Sequence, residues 1–203
     1  MKIVQPSVTL MSHTPDPEKL IELTGRTCWK SEPKGEDSHV KFIKMIKGKN
    51  HASVLEHASI TFRIVTDRAI ANEIVRHRIA SFSQESTRYV CYEKERHGGE
   101  VSFVCPSAFD NEESRSLFSM WVDACEFAES AYLELVNYGA SPQNARSVLP
   151  LCTKTELVMT INFRSLLNFL ELRTSKAAHP DMVVIANKIK EICVQVAPNV
   201  FGE

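Results

Sequence analysis

Long apolar runs are missing from this chain. No stretch of eighteen or more apolar residues occurs in its 203 residues, so a membrane-spanning helix is not expected. The opening MKIVQPSVTL carries a single lysine with no apolar block behind it, which is not the form of an ordinary secretion signal. Net charge is almost absent as well, at −1. A duplex-binding domain is usually strongly basic, so general affinity for nucleic acid is not expected, and an anion site has to be built by local clustering of arginine. The six cysteines, at 28, 91, 105, 125, 152 and 193, include no CxxC pair. They read as reduced thiols of a cytoplasmic protein, mostly buried as small hydrophobes. His51 and His57 stand six apart and match no zinc-ligand spacing, so no metal is expected. Repeats, low-complexity tracts and linkers are lacking too. One domain over residues 1–203 is the expectation.

Enough apolar sequence is present, 43%, to build a packed core. Helical periodicity is clear in TPDPEKLIELTG, with Thr14 or Asp16 as cap and Gly25 as stop, and in DSHVKFIKMIKG, stopped by Gly48. DRAIANEIVRHR reads as a helix capped by Asp67 whose last turn holds the cations Arg76 to Arg78. The longest helix is expected from about Glu113 to Tyr138. Its apolar stripe is Leu117, Trp121, Ala124, Cys125, Ala128, Tyr132 and Leu135, with Gly139 closing it. A last helix follows Pro180. Strands are expected at Ile3–Leu10, Ala58–Val65, Ser86–Tyr92, Val101–Cys105 and Glu156–Asn162, with a turn at HGGE, 97–100. Strands and helices do not alternate regularly. The fold class that follows is α+β, a mainly antiparallel sheet packed with long helices.

What the chain does concentrate is donors, in RHRIASFSQESTRY, residues 76–89. The segment holds Arg76, His77, Arg78 and Arg88 together with the hydroxyls of Ser81, Ser83, Ser86 and Thr87. Four readings are open. A helix end followed by a loop and a strand would be unremarkable, since cations at helix C-termini contribute only ~0.3–1 kcal/mol each. A nucleotide- or RNA-binding surface would want more basic residues and exposed aromatics than the mixed YEKERHGGE offers. A serine hydrolase using Ser86 would want a GxSxG elbow, which is absent. An anion site, the remaining reading, finds partners elsewhere. NARSVLP offers Arg146 on a short helix capped by Ser141. INFRSLLNFLELR offers Asn162 at a strand–helix junction, Arg164 and Asn168 one helical turn apart, and Arg173. Arginine is the side chain suited to bidentate phosphate contact.

These blocks resemble the flavin-dependent thymidylate synthases. RHR, seven residues, then Ser-x-Arg is similar to that family's signature. NHASVLEHASITF upstream resembles its His-containing loop, and ARSVLPLCTKTELVMTINFRSLLNFLELR downstream resembles its second binding block. Three blocks in order cover nearly the whole chain. One stretch departs: AAHPDM places His179 where the family often has Gln.

The resemblance implies reductive methylation of dUMP to dTMP. Methylenetetrahydrofolate would give the carbon and FAD, reduced by NADPH, the hydride. It implies that His51, Ser53, Arg76, His77, Arg78, Gln84, Asn162, Arg164 and Asn168 bind the flavin. It implies that Glu73, Ile74, Val75, Arg76, Gln84, Glu85, Ser86, Thr87, Arg88, Arg146 and Arg173 bind dUMP. Arg173 would polarise the uracil. No cysteine would act as nucleophile, Cys91 being the nearest candidate, and Ser86 would position the nucleotide. A homotetramer with sites shared between subunits is implied as well. Arg63, Arg68 and Arg115 belong to no motif and are expected at the surface, and His57 is expected to face the core.

Overall fold

The structure, a computed structural model, describes residues 1–94, 99–109 and 112–202. His97 and Gly98 of the expected HGGE turn lie outside the described residues. The strands are β1 (Lys2–Val4), β2 (Ser7–His13), β3 (Ser59–Asp67), β4 (Ala80–Gln84), β5 (Ser102–Val104) and β6 (Lys154–Asn162). The α-helices are α1 (Pro17–Thr27), α2 (Ser38–Gly48), α3 (Arg68–Ile74), α4 (Arg115–Asn137), α5 (Pro142–Ala145), α6 (Phe163–Arg173), α7 (Pro180–Val196) and α8 (Pro198–Phe201). A 3-10 helix covers Ala52–His57. The four-stranded sheet has the order β2-β3-β6-β4, and β1 pairs in parallel with β5. The class is α+β with an antiparallel sheet, as the irregular order of strands and helices predicts.

By compactness the chain divides into two units. The first holds residues 1–7, 64–76 and 83–157, and the second residues 8–63, 77–82 and 158–203. In the first unit Tyr92, Val101, Phe103, Cys125, Tyr132 and Ala145 form a buried cluster. Here α4 differs from expectation. Cys125 and Tyr132 face the core, but Leu117, Ala124 and Leu135 are exposed and Glu129 is buried. The helix is turned so that the Glu129 carboxylate accepts the Val101 N–H at 2.7 Å. A buried donor of that kind is costly to leave unpaired, and it outweighs part of the apolar stripe. Gly139 closes α4 as expected. At φ +90° it lets its own N–H reach Val136 O and the Ala140 N–H reach Leu135 O, a Schellman ending that L side chains do not favour.

In the second unit α1 packs on α2, α6 on α7, and α7 on α8. Ile21, Ile43, Ile46, Phe163, Phe169, Met182 and Ile189 are buried there, each side chain contributing roughly 1.5–3 kcal/mol. Gly25 does not stop α1, which runs on to Thr27. It is buried, and a Cβ at this position would lie 2.5 Å from Phe42 Cζ, so it is the close approach of α1 and α2 that requires glycine.

Buried residues alternate strictly in β3 (Ile60, Phe62, Ile64, Thr66) and β6 (Thr155, Leu157, Met159, Ile161). Each of these strands passes into its helix with no intervening residue. Asp67 ends β3 and caps α3, its carboxylate accepting Ile70 N–H at 2.7 Å. Asn162 ends β6 and caps α6, its side-chain oxygen accepting Ser165 N–H at 2.9 Å. Capping of this kind stabilises a helix by about 1 kcal/mol.

Two expectations around the cationic segment fail. Helix α3 ends at Ile74, so Arg76, His77 and Arg78 follow the helix and do not form its last turn. The strand lies at Ala80–Gln84, not at Ser86–Tyr92. Residues 86–90 form a turn in which the Ser86 carbonyl accepts the N–H groups of Tyr89 and Val90, and Ser86 Oγ accepts that of Arg88 at 3.3 Å. A hydroxyl that bonds its own backbone competes with a ladder. The alternation in ASFSQ, with Ser81 and Ser83 exposed, marks the actual strand.

Candidate active site

In the first unit one candidate carboxylate is closely held. Glu85 follows β4. Its Oε1 accepts the Tyr92 hydroxyl at 2.7 Å, its Oε2 accepts Lys154 Nζ at 2.8 Å, and its carbonyl accepts Arg68 Nη2 at 3.2 Å. Its own N–H donates to Glu156 O at 2.8 Å. Burial, and then the Glu85 charge, push the Tyr92 phenol above its usual range and keep it a neutral donor. Beside this, Gln84 Nε2 donates to Thr155 Oγ1 at 3.2 Å, and Arg146 Nη1 donates to the buried Thr87 hydroxyl at 3.0 Å. The last bond joins residues 59 apart in sequence. Glu73 and the buried Ile74 end α3, Val75 is its cap, and Arg76 is exposed just beyond. Arg88 is exposed too, its guanidinium 5.5 Å from the Tyr89 ring centroid.

In the second unit Arg173, at the end of α6, donates from Nε to His77 Nε2 at 2.9 Å, across 96 residues of sequence. Guanidinium can only donate, so His77 is neutral at this nitrogen and carries its proton on Nδ1. The environment agrees, for burial and then the Arg173 charge hold His77 below the usual imidazole range. The ring also stands edge-on to Phe169 at 4.8 Å. Arg78, Arg164 and Asn168 are exposed, as are Ser53 and His51 on the segment that leads through 52–57 to β3. The 52–57 turn packs on α6. Arg164 and Asn168 share a face of α6 as their spacing predicts, and Arg164 pairs with Glu56 where both side chains are half-exposed.

Sequence reasoning missed several residues. Arg68, expected at the surface, is partly buried and bonded to Glu85. Tyr92, Lys154 and Thr155 hold Glu85 and Gln84, and Glu56 engages Arg164. A signal existed for Lys154 and Glu156, charged residues at alternate positions of a strand whose other face is apolar. His57, expected to face the core, is exposed at the end of its short helix. His179, at the departure in AAHPDM, is the N-cap of α7, where Nδ1 accepts Asp181 N–H at 3.2 Å. Among the described residues no His/Cys/Asp/Glu cluster suited to a metal ion occurs, and no helix is long and apolar enough to cross a membrane.

What this donor set can do chemically is bind anions. Arg78, Arg164, Asn168 and Ser53 present polar groups to solvent, whereas the Phe163 and Ser165 N–H groups at the start of α6 are taken by Ala58 O and Asn162 Oδ1. Exposed arginines with polar neighbours fit a pyrophosphate. Arg164 has donors beyond the one used by Glu56.

The family described as thymidylate synthase complementing protein matches residues 9–199. A flavin-dependent thymidylate synthase of Geobacter sulfurreducens is 36% identical over 204 residues, covering 97% of this chain and 85% of its own. One from Pyrococcus furiosus is 34% identical over 192 residues, covering 91% and 77%. Among solved structures, a UMP/dUMP methylase PolB from Streptomyces cacaoi bound with 5-Br dUMP superposes with a TM-score of 0.84. It shares 22% identity and covers 99% of this chain and 95% of its own, a likeness of fold.

Proposed function

The chain belongs to the thymidylate synthase complementing protein family, that of the flavin-dependent thymidylate synthases, and from that premise we propose that it methylates dUMP to dTMP. It is a methyltransferase and a flavoprotein. One observation supports the reading above others: hydrogen bonds join the signature segment to the second binding block, far from it in sequence. Arg146 meets Thr87 in the first unit, and Arg173 meets His77 in the second.

FAD is the cofactor, and reduced FAD supplies the hydride. Its pyrophosphate would be held by Arg78, Arg164, Asn168 and Ser53, and membership of the family implies Arg76, His77, Gln84, Asn162 and His51 as further flavin-binding residues. Methylenetetrahydrofolate is the carbon donor and NADPH the reductant. Glu73, Ile74, Val75 and Arg76 form one edge of the dUMP site, and Gln84 to Arg88 with Arg146 the other. Ser86 orders its turn and hydrogen-bonds the nucleotide phosphate beside Arg88. Arg173 acts on the uracil. Its Nε is committed to His77, which helps to fix the plane of the fork, and its charge would stabilise the negative charge that develops on the imide, in the manner of an oxyanion hole. Cys91 is buried and takes no part, so Cys91→Ser retains turnover. All of residues 1–203 serve as one catalytic domain, in a cytoplasmic homotetramer whose sites draw Arg76 and Arg173 from one subunit and Ser86, Arg88 and Arg146 from another.

The test begins with the absorption spectrum of the purified protein, which should show bound flavin; a non-catalytic nucleotide- or RNA-binding protein would show none. Arg78→Ala and Arg164→Ala should each weaken FAD binding by roughly 1.5–3 kcal/mol. Unchanged flavin affinity in both would remove the site assignment. Mixing Arg76→Ala with Arg88→Ala subunits tests the sharing of sites. About a quarter of sites in a random mixture would draw both arginines intact, and no recovery of dTMP formation in a verified mixed oligomer would place each site within one chain.

A further inference from the structure

Two of the cysteines that share no motif are neighbours in the first unit. Cys125, on α4, and Cys152, two residues before β6 begins, have their sulfurs 3.6 Å apart. That is the contact distance of two unbonded thiols. Cys125 is fully buried, whereas Cys152 is partly open to solvent. The indole N–H of Trp121 is buried, has no hydrogen-bond partner among the described residues, and lies near Cys152. We propose that Cys125 and Cys152 form a peroxide-sensitive dithiol that closes into a disulfide, with Cys152 as the attacking sulfur and Cys125 as the resolving one.

The assignment of roles follows from the surroundings. Cys152 is the sulfur partly open to solvent, so it is the one peroxide can reach, and either sulfur can carry the proton shared across the 3.6 Å contact. The contact with Cys125 and the nearby Trp121 indole hold the Cys152 thiol below the usual range, against the opposing effect of burial. The same contact raises Cys125, which stays a thiol until its partner is oxidised. The chemistry balances in two steps. The Cys152 thiolate attacks one oxygen of hydrogen peroxide, the O–O bond breaks, and hydroxide leaves, giving a sulfenic acid. The Cys125 sulfur then attacks Cys152, the S–O bond breaks, and water leaves with the Cys125 proton. Peroxide takes two electrons from the pair, and any dithiol reductant returns them. The other four cysteines serve as internal controls. Cys91 and Cys193 are buried, burial pushing Cys193 up to about 12, Cys105 is partly exposed and Cys28 exposed.

Treat the full chain with hydrogen peroxide, block remaining thiols with an alkylating agent, and digest without reductant. A peptide linking Cys125 to Cys152, two hydrogens lighter than its parts and lost on reduction, is the expected result. Cys125→Ala, which keeps the core apolar, should lose that peptide and accumulate a sulfenic acid at Cys152 that dimedone captures. Cys152→Ser should lose both signals. A link from either cysteine to Cys105, or oxidation of Cys28 with the 125–152 pair still fully alkylated, would overturn the proposal. So would equal peroxide consumption by the parent and Cys152→Ser. Should either variant fold poorly, the site of the linked peptide in the parent decides alone.

Discussion

The candidate residues of the two units hold their charges differently. In the first, Glu85 has every oxygen engaged, by Tyr92, Lys154 and Arg68, and the side chains that do this are largely withdrawn from water. In the second, the Glu56–Arg164 pair stands with about half of each side chain exposed, and Arg78 and Asn168 face solvent. Geometry alone would rank the Glu56–Arg164 contact beside the Glu85 contacts; burial separates them. A withdrawn carboxylate with complete partners fixes a local structure and penalises its own removal. An exposed pair contributes about 0–1 kcal/mol and yields readily to a competing anion. Among the candidate residues, the first unit thus holds a preformed polar scaffold and the second an open set of cations suited to a ligand that brings its own charge, although Glu18 and Glu22 of the second unit are themselves buried and paired.

The largest effect should come from Arg173, which His77 holds at the end of α6. Arg173→Ala should lower dTMP turnover by roughly 10²-fold or more, the scale for losing an aimed donor to developing charge. Arg173→Lys keeps the charge but not the planar fork and should recover only part of the rate. Normal turnover in Arg173→Ala would make the residue structural. Next, Glu85→Ala should destabilise the protein by about 2–3 kcal/mol in urea unfolding, because Lys154 and Tyr92 are left without their acceptor. Glu85→Gln can keep the Tyr92 bond and should lose about half as much.

A smaller effect concerns protons. His77 is held below its ordinary range, so between that lowered value and about 6.5 the unfolded chain binds more protons than the folded one. Its contribution to stability is therefore complete above about pH 6.5 and declines as pH falls toward the folded value. Urea midpoints measured from neutral pH downward should show this fall, and His77→Phe should flatten it. Smallest of all, Glu56→Gln should change unfolding stability by no more than about 0.5 kcal/mol. It should tighten flavin binding at low salt, the gain fading as salt rises. A loss of stability comparable to that of Glu85→Ala would erase the contrast between the two units.

Much of the fold was legible because periodicity reports burial directly. β3 announces itself by the alternation in ASITFRIV, and α7 by its apolar face. The candidate site was legible as a set of blocks, since arginines and polar residues at fixed spacing stand out in a nearly neutral chain. What resisted reading depends on partners distant in sequence. Nothing in Glu129 says that Val101 needs an acceptor, so the rotation of α4 was hidden. Nothing in Arg68 says that it lies against Glu85. The missing strand at residues 86–92 has a local cause that pattern reading passed over, a serine bonding its own backbone. Gly25 looked like a stop for the same kind of reason: the ring it accommodates belongs to Phe42, on the next helix.

The two seamless junctions have a consequence for how this chain can vary. Asp67 and Asn162 each end a strand and cap a helix, so neither connection holds a residue that could absorb a change of length. One inserted residue after Asn162 would turn α6 by about 100° relative to β6, carrying Arg164, Asn168 and Arg173 off their faces together. An insertion inside β6 would instead exchange its buried and exposed sides. Substitutions here can be graded and individually mild, whereas a single-codon insertion or deletion is all-or-none. Between members of such a lineage, gaps should therefore fall elsewhere, for example in the polar 31–38 loop, and the intervals from β3 into α3 and from β6 into α6 should keep one length while their side chains drift.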